Sequence, residues 1–132
     1  MPHDPDQLRD FARRYTAAWC SRQPTRVAAH YAADGRIAVN GAPSAPILEV
    51  AGSFMAAFPD MVISMDDVIE REDENIEYHW TLDGTNTGPG GTGNHVRISG
   101  FETWTMGADG LVASSLGTFD QAEYERQLAE GV

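Results

Sequence analysis

The stretch Glu77-Tyr78-His79-Trp80-Thr81-Leu82-Asp83-Gly84-Thr85-Asn86-Thr87-Gly88 decides how this chain is read. Ile76, Tyr78, Trp80 and Leu82 alternate with Glu77, His79, Thr81 and Asp83. A period of two sends successive side chains to opposite faces, the mark of a half-buried antiparallel strand. The apolar face is bulky and aromatic, so a layer of helices is needed to cover it. The Gly-rich run 84–93 then turns the chain into a second long strand, His95 to Met106. Such a sheet either wraps a pocket or closes a core, and that choice governs function.

Working outward, the flanking sequence supplies both the helices and the remaining strands. Asp4 is placed to cap a helix, with Pro5 at its first position and Gln7 three residues after the cap. Leu8, Phe11, Ala12, Tyr15 and Trp19 form one stripe at helical spacing, to about Ser21. Pro24 opens a second, shorter helix carrying Val27, Ala28 and Tyr31, which Ala33-Asp34-Gly35 is expected to stop. Arg36 to Asn40 reads as a short strand and Gly41 to Pro46 as a loop. A third helix is expected from Ile47 to Phe58, with Ile47, Val50, Ala51, Phe54 and Phe58 on one face and Val50 and Phe54 buried against the sheet; Phe58-Pro59-Asp60 ends it, because the residue before proline is pushed out of helical geometry. From Met61 the period returns to two, through Ile63, Met65, Val68 and Ile69, to a hairpin turn at Glu72-Asp73-Glu74-Asn75. Gly107-Ala108-Asp109-Gly110 makes another tight turn before a last strand, Leu111 to Phe119. Asp120-Gln121-Ala122-Glu123 has capping-box spacing and starts a closing helix. Segregated helices and hairpin-linked strands predict an α+β fold: a cone-shaped, curved antiparallel sheet on three N-terminal helices, with a short C-terminal helix. With no internal repeat or linker, residues 1–132 are expected to form a single domain.

Composition bounds the partners. Twenty acidic against nine basic side chains give a net charge of −11, a surface that repels phosphate backbones and anionic membranes. No apolar run approaches the roughly 18 residues of a membrane span, and the opening MPHDPDQLRD is not a basic-then-apolar leader. One cysteine, Cys20, forms no internal disulfide and suits a reducing cytoplasm; beside Trp19 it reads as a packing residue. The histidines His3, His30, His79 and His95 lack metal-ligand spacing, so no metal is expected. Gly88 to Gly93 lacks the lysine of a phosphate loop, and the acidic run Asp66 to Glu74 lacks a calcium-loop pattern; both read as hairpin connections.

The helix-helix-strand-helix opening, the Phe58-Pro59-Asp60 junction, the strand Trp80-Thr81-Leu82-x-Gly84-Thr85-x-Thr87-Gly88 and the Gly110-Leu111-Val112 turn together resemble the SnoaL-like polyketide cyclases of the nuclear-transport-factor-2-like superfamily. The resemblance extends over nearly the whole chain. It implies a cone that hosts cyclases, isomerases, dehydratases, epoxide hydrolases and proteins without chemistry, so it speaks for fold more than function. Catalytic relatives commonly carry a pattern like Gly-Lys-Ile-x-x-His-Trp-Asp on the last strand. Here Ser115 falls where the His would stand and Gly117 where the Asp would, which argues against the epoxide-hydrolase branch. Asp120 remains nearby but reads as the cap of the closing helix.

Parity then singles out Glu102. With Trp104 inward, Ile98, Gly100, Glu102 and Met106 share the covered face, while Arg97, Ser99, Phe101, Thr103 and Thr105 face away. A carboxylate on an apolar wall would have its pKa raised by desolvation and could shuttle protons near neutral pH. Equally, a nearby Tyr or Arg could bind it and fix register. His79 is the second acid/base candidate: alternation puts it on the outer face, with Glu77, where the superfamily often forms a dimer, and the opposite phase would turn it inward. Two functions follow. One is a cofactor-free cyclase- or isomerase-like enzyme that moves a proton next to a carbonyl of a hydrophobic cyclic or aromatic substrate. The other is a binding or accessory protein with the same pocket. In either, Tyr15, Trp19, Phe54, Tyr78, Trp80, Trp104 and Phe119 are expected to contact the ligand, and a homodimer is expected through the outer sheet face.

Overall fold

A computed structural model describes residues 3–132; Met1 and Pro2, which open the N-terminal segment read above as no leader, lie outside them. Helix α1 spans Pro5–Trp19, and Asp4 caps it, its Oδ1 accepting from the backbone N–H groups of Asp6 at 2.8 Å and Gln7 at 3.2 Å. Leu8, Ala12, Tyr15, Ala18 and Trp19 are its buried stripe, while Phe11 sits half-buried at the edge, its ring 5.6 Å from that of Trp104. Helix α2 is shorter than the sequence predicts, Pro24–Ala28. The chain leaves it three residues before Tyr31, which opens strand β1, Tyr31–Val39. A five-residue helix has little propagation to hold it, and two contacts draw the next residues into the sheet. The carbonyl of His30 accepts from Val112 N–H at 2.9 Å, and the Tyr31 hydroxyl lies 3.0 Å from that of Tyr15.

A two-residue strand β2, Ala45–Pro46, occupies the end of the expected loop, and α3 runs Ile47–Ala57. Then come β3 (Val62–Glu70), β4 (Ile76–Thr85), β5 (His95–Met106), β6 (Val112–Phe119) and helix α4 (Gln121–Glu130). Asp120 caps α4 as expected, accepting from Glu123 N–H at 3.1 Å. The sheet order is β2-β1-β6-β5-β4-β3. From β3 to β6 every neighbour is antiparallel, as the hairpin turns dictate. Strand β1 departs from the all-antiparallel expectation and joins β6 in parallel, with Ile37 opposite Ser115 and Val39 opposite Gly117. Its alternation marks a strand but carries no information about its neighbour. In β3 the alternation changes phase between Met65 and Val68; Asp66 is bulged between the pairs Met65–Trp80 and Asp67–His79, which returns Val68 to the core face.

The layers meet in one core that includes Tyr15, Tyr78, Ile76, Trp104 and Val112, all almost wholly buried. Met55 of α3 is buried, whereas Val50 and Phe54, expected in the core, are only half-covered because they face an open pocket. The Gly-rich connection between β4 and β5 is anchored on the end of α3. Asn86 Nδ2 donates to the Ala57 carbonyl at 3.0 Å, and Gly88 N–H donates to the same oxygen at 3.3 Å. A Cβ added at Gly88 would stand 1.9 Å from the Ala56 carbonyl oxygen, whereas one at Gly90, with φ +75°, meets nothing. Gly88→Ala is therefore expected to lower stability by about 2–3 kcal/mol through backbone displacement. Gly90→Ala should cost about 1 kcal/mol, the left-handed conformation alone. Urea unfolding of both variants checks this, and equal losses would contradict the docking of Gly88 on α3.

Candidate functional site

The concave face of the sheet and the helices enclose a pocket of about 500 Å³, counting its open mouth. Trp19 of α1 and Phe54 of α3 form the helical wall, their rings 6.4 Å apart, joined by Val50. Tyr78, Trp80 and Leu82 of β4 form the facing wall because alternation points all three inward. Ile37, Val39 and Ile63 close the sides, and Phe119 meets the Trp80 ring edge-on at 5.9 Å. Glu102 is the one ionisable carboxyl among the lining side chains.

Glu102 lies on β5 between Tyr78 of β4 and Gly117 of β6, its cross-strand partners. It is 6 % exposed. Its Oε1 accepts from Tyr15 Oη at 2.8 Å, Trp104 Nε1 at 2.9 Å and, more weakly, Ser115 Oγ at 3.5 Å. Tyr31 Oη stands behind Tyr15 at 3.0 Å and completes the network. These three donors converge on the same oxygen. Aromatic rings box the carboxyl. Tyr78 and Trp104 stack at 5.0 Å, and Tyr15 meets Trp104 at 4.9 Å and Tyr78 at 5.2 Å, both edge-on.

Burial pushes the Glu102 pKa up, and the Trp104, Tyr15, Ser115 and Tyr31 donors pull it back only in part. Burial, reinforced by the Glu102 charge, holds the Tyr15 and Tyr31 phenols well above their ordinary range, so both remain protonated donors. Tyr78 is raised as well, mainly by burial, although its hydroxyl makes a short hydrogen bond with Thr16 Oγ1.

The structure brings Trp19, Phe54, Tyr78, Trp80, Glu102 and Phe119 to one pocket. Tyr15 and Trp104 do not line it; they stand behind Glu102 and hold it. His79 is elsewhere. It lies on the outer sheet face, half-exposed, with Nε2 3.0 Å from Glu77 Oε1 and its ring stacked on Phe101 at 5.4 Å. Sequence reasoning did not anticipate Tyr31, which was placed on a helix, or the lining role of Ile37, Val39 and Gly117. Parity of the last strand, which places Ser115 and Gly117 on Glu102's side, was the available signal. Cys20 is engaged with the Ile63 backbone, accepting from its N–H at 3.3 Å and donating to its carbonyl at 3.4 Å. Among the described residues no group of three or more His, Cys, Asp or Glu is arranged to hold a metal ion, and no helix is long and apolar enough to cross a membrane.

A curved, open sheet wrapped over helices is the nuclear-transport-factor-2-like architecture. A family model for the SnoaL-like domain matches residues 12–115, and the chain belongs to that family. Several solved structures share the fold. AclR from Streptomyces galilaeus, a candidate hydroxylase, is 16% identical over 96% of this chain and 98% of its own, with a TM-score of 0.78. A candidate SnoaL-like polyketide cyclase from Jannaschia sp. CCS1 is 16% identical over 100% and 99%, with a TM-score of 0.76. SalBIII, an epoxide hydrolase/cyclase-like enzyme described in pyran ring formation in the polyether salinomycin, is 14% identical over 91% and 95%, with a TM-score of 0.75. At these identities the likeness is one of fold. No curated protein matches the chain.

The raised Glu102 pKa has a consequence for stability. The folded protein holds this proton more tightly than the unfolded chain, so the unfolded chain releases it first as pH rises. The stability that Glu102 contributes is fully present below the ordinary glutamate value of about 4.3 and is lost as pH climbs through the folded-state pKa. Glu102→Gln, which cannot ionise, should therefore gain stability relative to the wild type between pH 4 and pH 8. Denaturant melts across that range test it; a constant difference between the two proteins would contradict the shift.

Proposed function

We propose that this protein is a cofactor-free enzyme of cyclase or isomerase type that moves a proton at the carbon next to a carbonyl of a hydrophobic cyclic or aromatic substrate. The observation that carries this reading is a buried carboxyl with a raised pKa on the wall of an otherwise apolar pocket. Tyr15, Trp104 and Ser115 fix Oε1, which leaves Oε2 as the oxygen that takes the proton from carbon and returns it. The enolate formed in between is shielded from water by Trp19, Phe54 and Trp80. The cyclase-like names among proteins of the same fold support the class of chemistry, not a substrate. A reducing cytoplasm suits the unpaired Cys20.

A second reading, binding without turnover, is favoured by Ser115 and Gly117, where many catalytic relatives carry ionisable side chains. One experiment separates the two. 1-Tetralone, a two-ring ketone with exchangeable hydrogens next to its carbonyl, is incubated with the protein in D2O and exchange is followed by NMR. The enzyme reading predicts accelerated exchange that Glu102→Gln reduces roughly 100-fold or more. Binding without acceleration would establish the second reading for this probe.

We further propose a homodimer through the outer sheet face. Leu116 and Ile69 are 58% and 44% exposed and lie on one cross-strand row with Thr103 and Glu77. His79 and Phe101 stack beside that row. Light scattering at micromolar concentration should give twice the chain mass, and Leu116→Glu should give the monomer. A wild-type monomer at that concentration contradicts the dimer.

A further inference from the structure

Tyr31 carries a hydroxyl that the packing of the core does not require. Its side chain is buried, and a phenylalanine would fill the same space. The hydroxyl is therefore taken out of water at a cost, and it is met by the Tyr15 hydroxyl at 3.0 Å. Tyr15 does not need that contact for its own proton, which it already donates to Glu102 Oε1 at 2.8 Å. A phenol has a single proton to donate. While Glu102 is ionised, the proton between the two tyrosines is thus that of Tyr31. Donation runs from Tyr31 to Tyr15 to Glu102. A hydroxyl that accepts one hydrogen bond is polarised and donates the next more strongly.

The backbone makes a local detour that accommodates Tyr31. Strand β1 pairs Tyr31 with Val112 and next pairs Arg36 with Ser114, so residues 32–35 fall out of register with β6. Gly35 ends that detour against the Tyr31 side chain. An added Cβ there would stand 2.5 Å from Tyr31 Cβ and 2.8 Å from its Cδ2, so the approach calls for glycine. Tyr31 itself does not line the pocket.

We propose that Tyr31 is a positioning residue for Glu102: acting through the Tyr15 hydroxyl, it strengthens the hydrogen bond that holds the ionised carboxyl. This rests on Glu102 being the proton-transfer group proposed above, and adds a residue outside the pocket that sets its proton affinity. Without the Tyr31 hydroxyl the ionised form is less well held, so Glu102 should keep its proton to higher pH.

The test follows the Glu102 side-chain 13C carboxyl resonance against pH in the wild type, Tyr31→Phe, Tyr15→Phe and the double variant. Tyr31→Phe should raise the midpoint by roughly a few tenths of a pH unit, a fraction of the worth of a charge-assisted bond. Tyr15→Phe, which removes the direct donor, should raise it by about one pH unit or more. The double variant should match Tyr15→Phe alone, because Tyr31 has then lost its route to the carboxyl. A midpoint that is unmoved or lowered in Tyr31→Phe overturns the proposal. A double variant that departs from Tyr15→Phe overturns it too, since Tyr31 would then act on Glu102 without Tyr15. Should a variant fail to fold, the wild type decides: the Tyr31 13Cζ resonance should titrate with the Glu102 midpoint, and a flat one overturns the proposal. None of these readings needs turnover, so a failure of the tetralone exchange would strike the chemistry proposed for Glu102 and not this chain of donors.

Discussion

The convergence of three donors on Glu102 Oε1 is the constraint around which the rest of this molecule is arranged. A carboxyl removed from water is costly in either protonation state unless its oxygens are met, and far more costly when ionised. Tyr15 comes from α1, Trp104 from β5 itself and Ser115 from β6, while Tyr31 of β1 supports Tyr15 from behind. One side chain therefore ties the first helix to three strands. Strand β1 enters the sheet at Tyr31, and its first residues hydrogen-bond to the start of β6.

The same arrangement decides what the pocket can do. Three donors crowd one oxygen of Glu102, so the carboxyl is oriented. Gly100 admits the Trp80 ring close to the backbone, while Gly117 leaves the inner face open beside the carboxyl. Gly117 is the direct partner of Glu102 across β5 and β6, and a Cβ there would meet only ordinary contacts with Ile37 and Val39. The space beside the carboxyl is thus not filled by the fold. On the proposed reading a single buried carboxyl acts as both acceptor and donor of the proton, which suits reversible transfer at carbon better than activation of a water.

Much of this was legible in the sequence because alternation is a strong constraint. The period of two through Tyr78, Trp80 and Leu82, carried across the Gly-rich connection, put Glu102 and Trp104 on the covered face and His79 on the other. Even the Asp66 bulge left a trace, in the phase change between Met65 and Val68. The failures have equally local causes. Tyr31 fits helical spacing from Val27, so nothing nearby announced that its partner is a tyrosine sixteen residues earlier. The parallel pairing of β1 with β6 is a long-range choice that its own residues do not encode. Tyr15 and Trp104 were expected to touch a ligand because they are inward aromatics; facing inward does not separate a residue that lines a cavity from one that stands behind the lining.

Glu102 is a buried, oriented carboxyl whose proton is held more tightly than in water. Its side-chain 13C carboxyl resonance, followed against pH in labelled protein with Glu102→Gln to assign the signal, reports this directly. The titration midpoint should lie clearly above the ordinary glutamate value of about 4.3. A midpoint at or below that value would show that the three donors outweigh burial, and would leave Glu102 as a structural anion and not a proton shuttle.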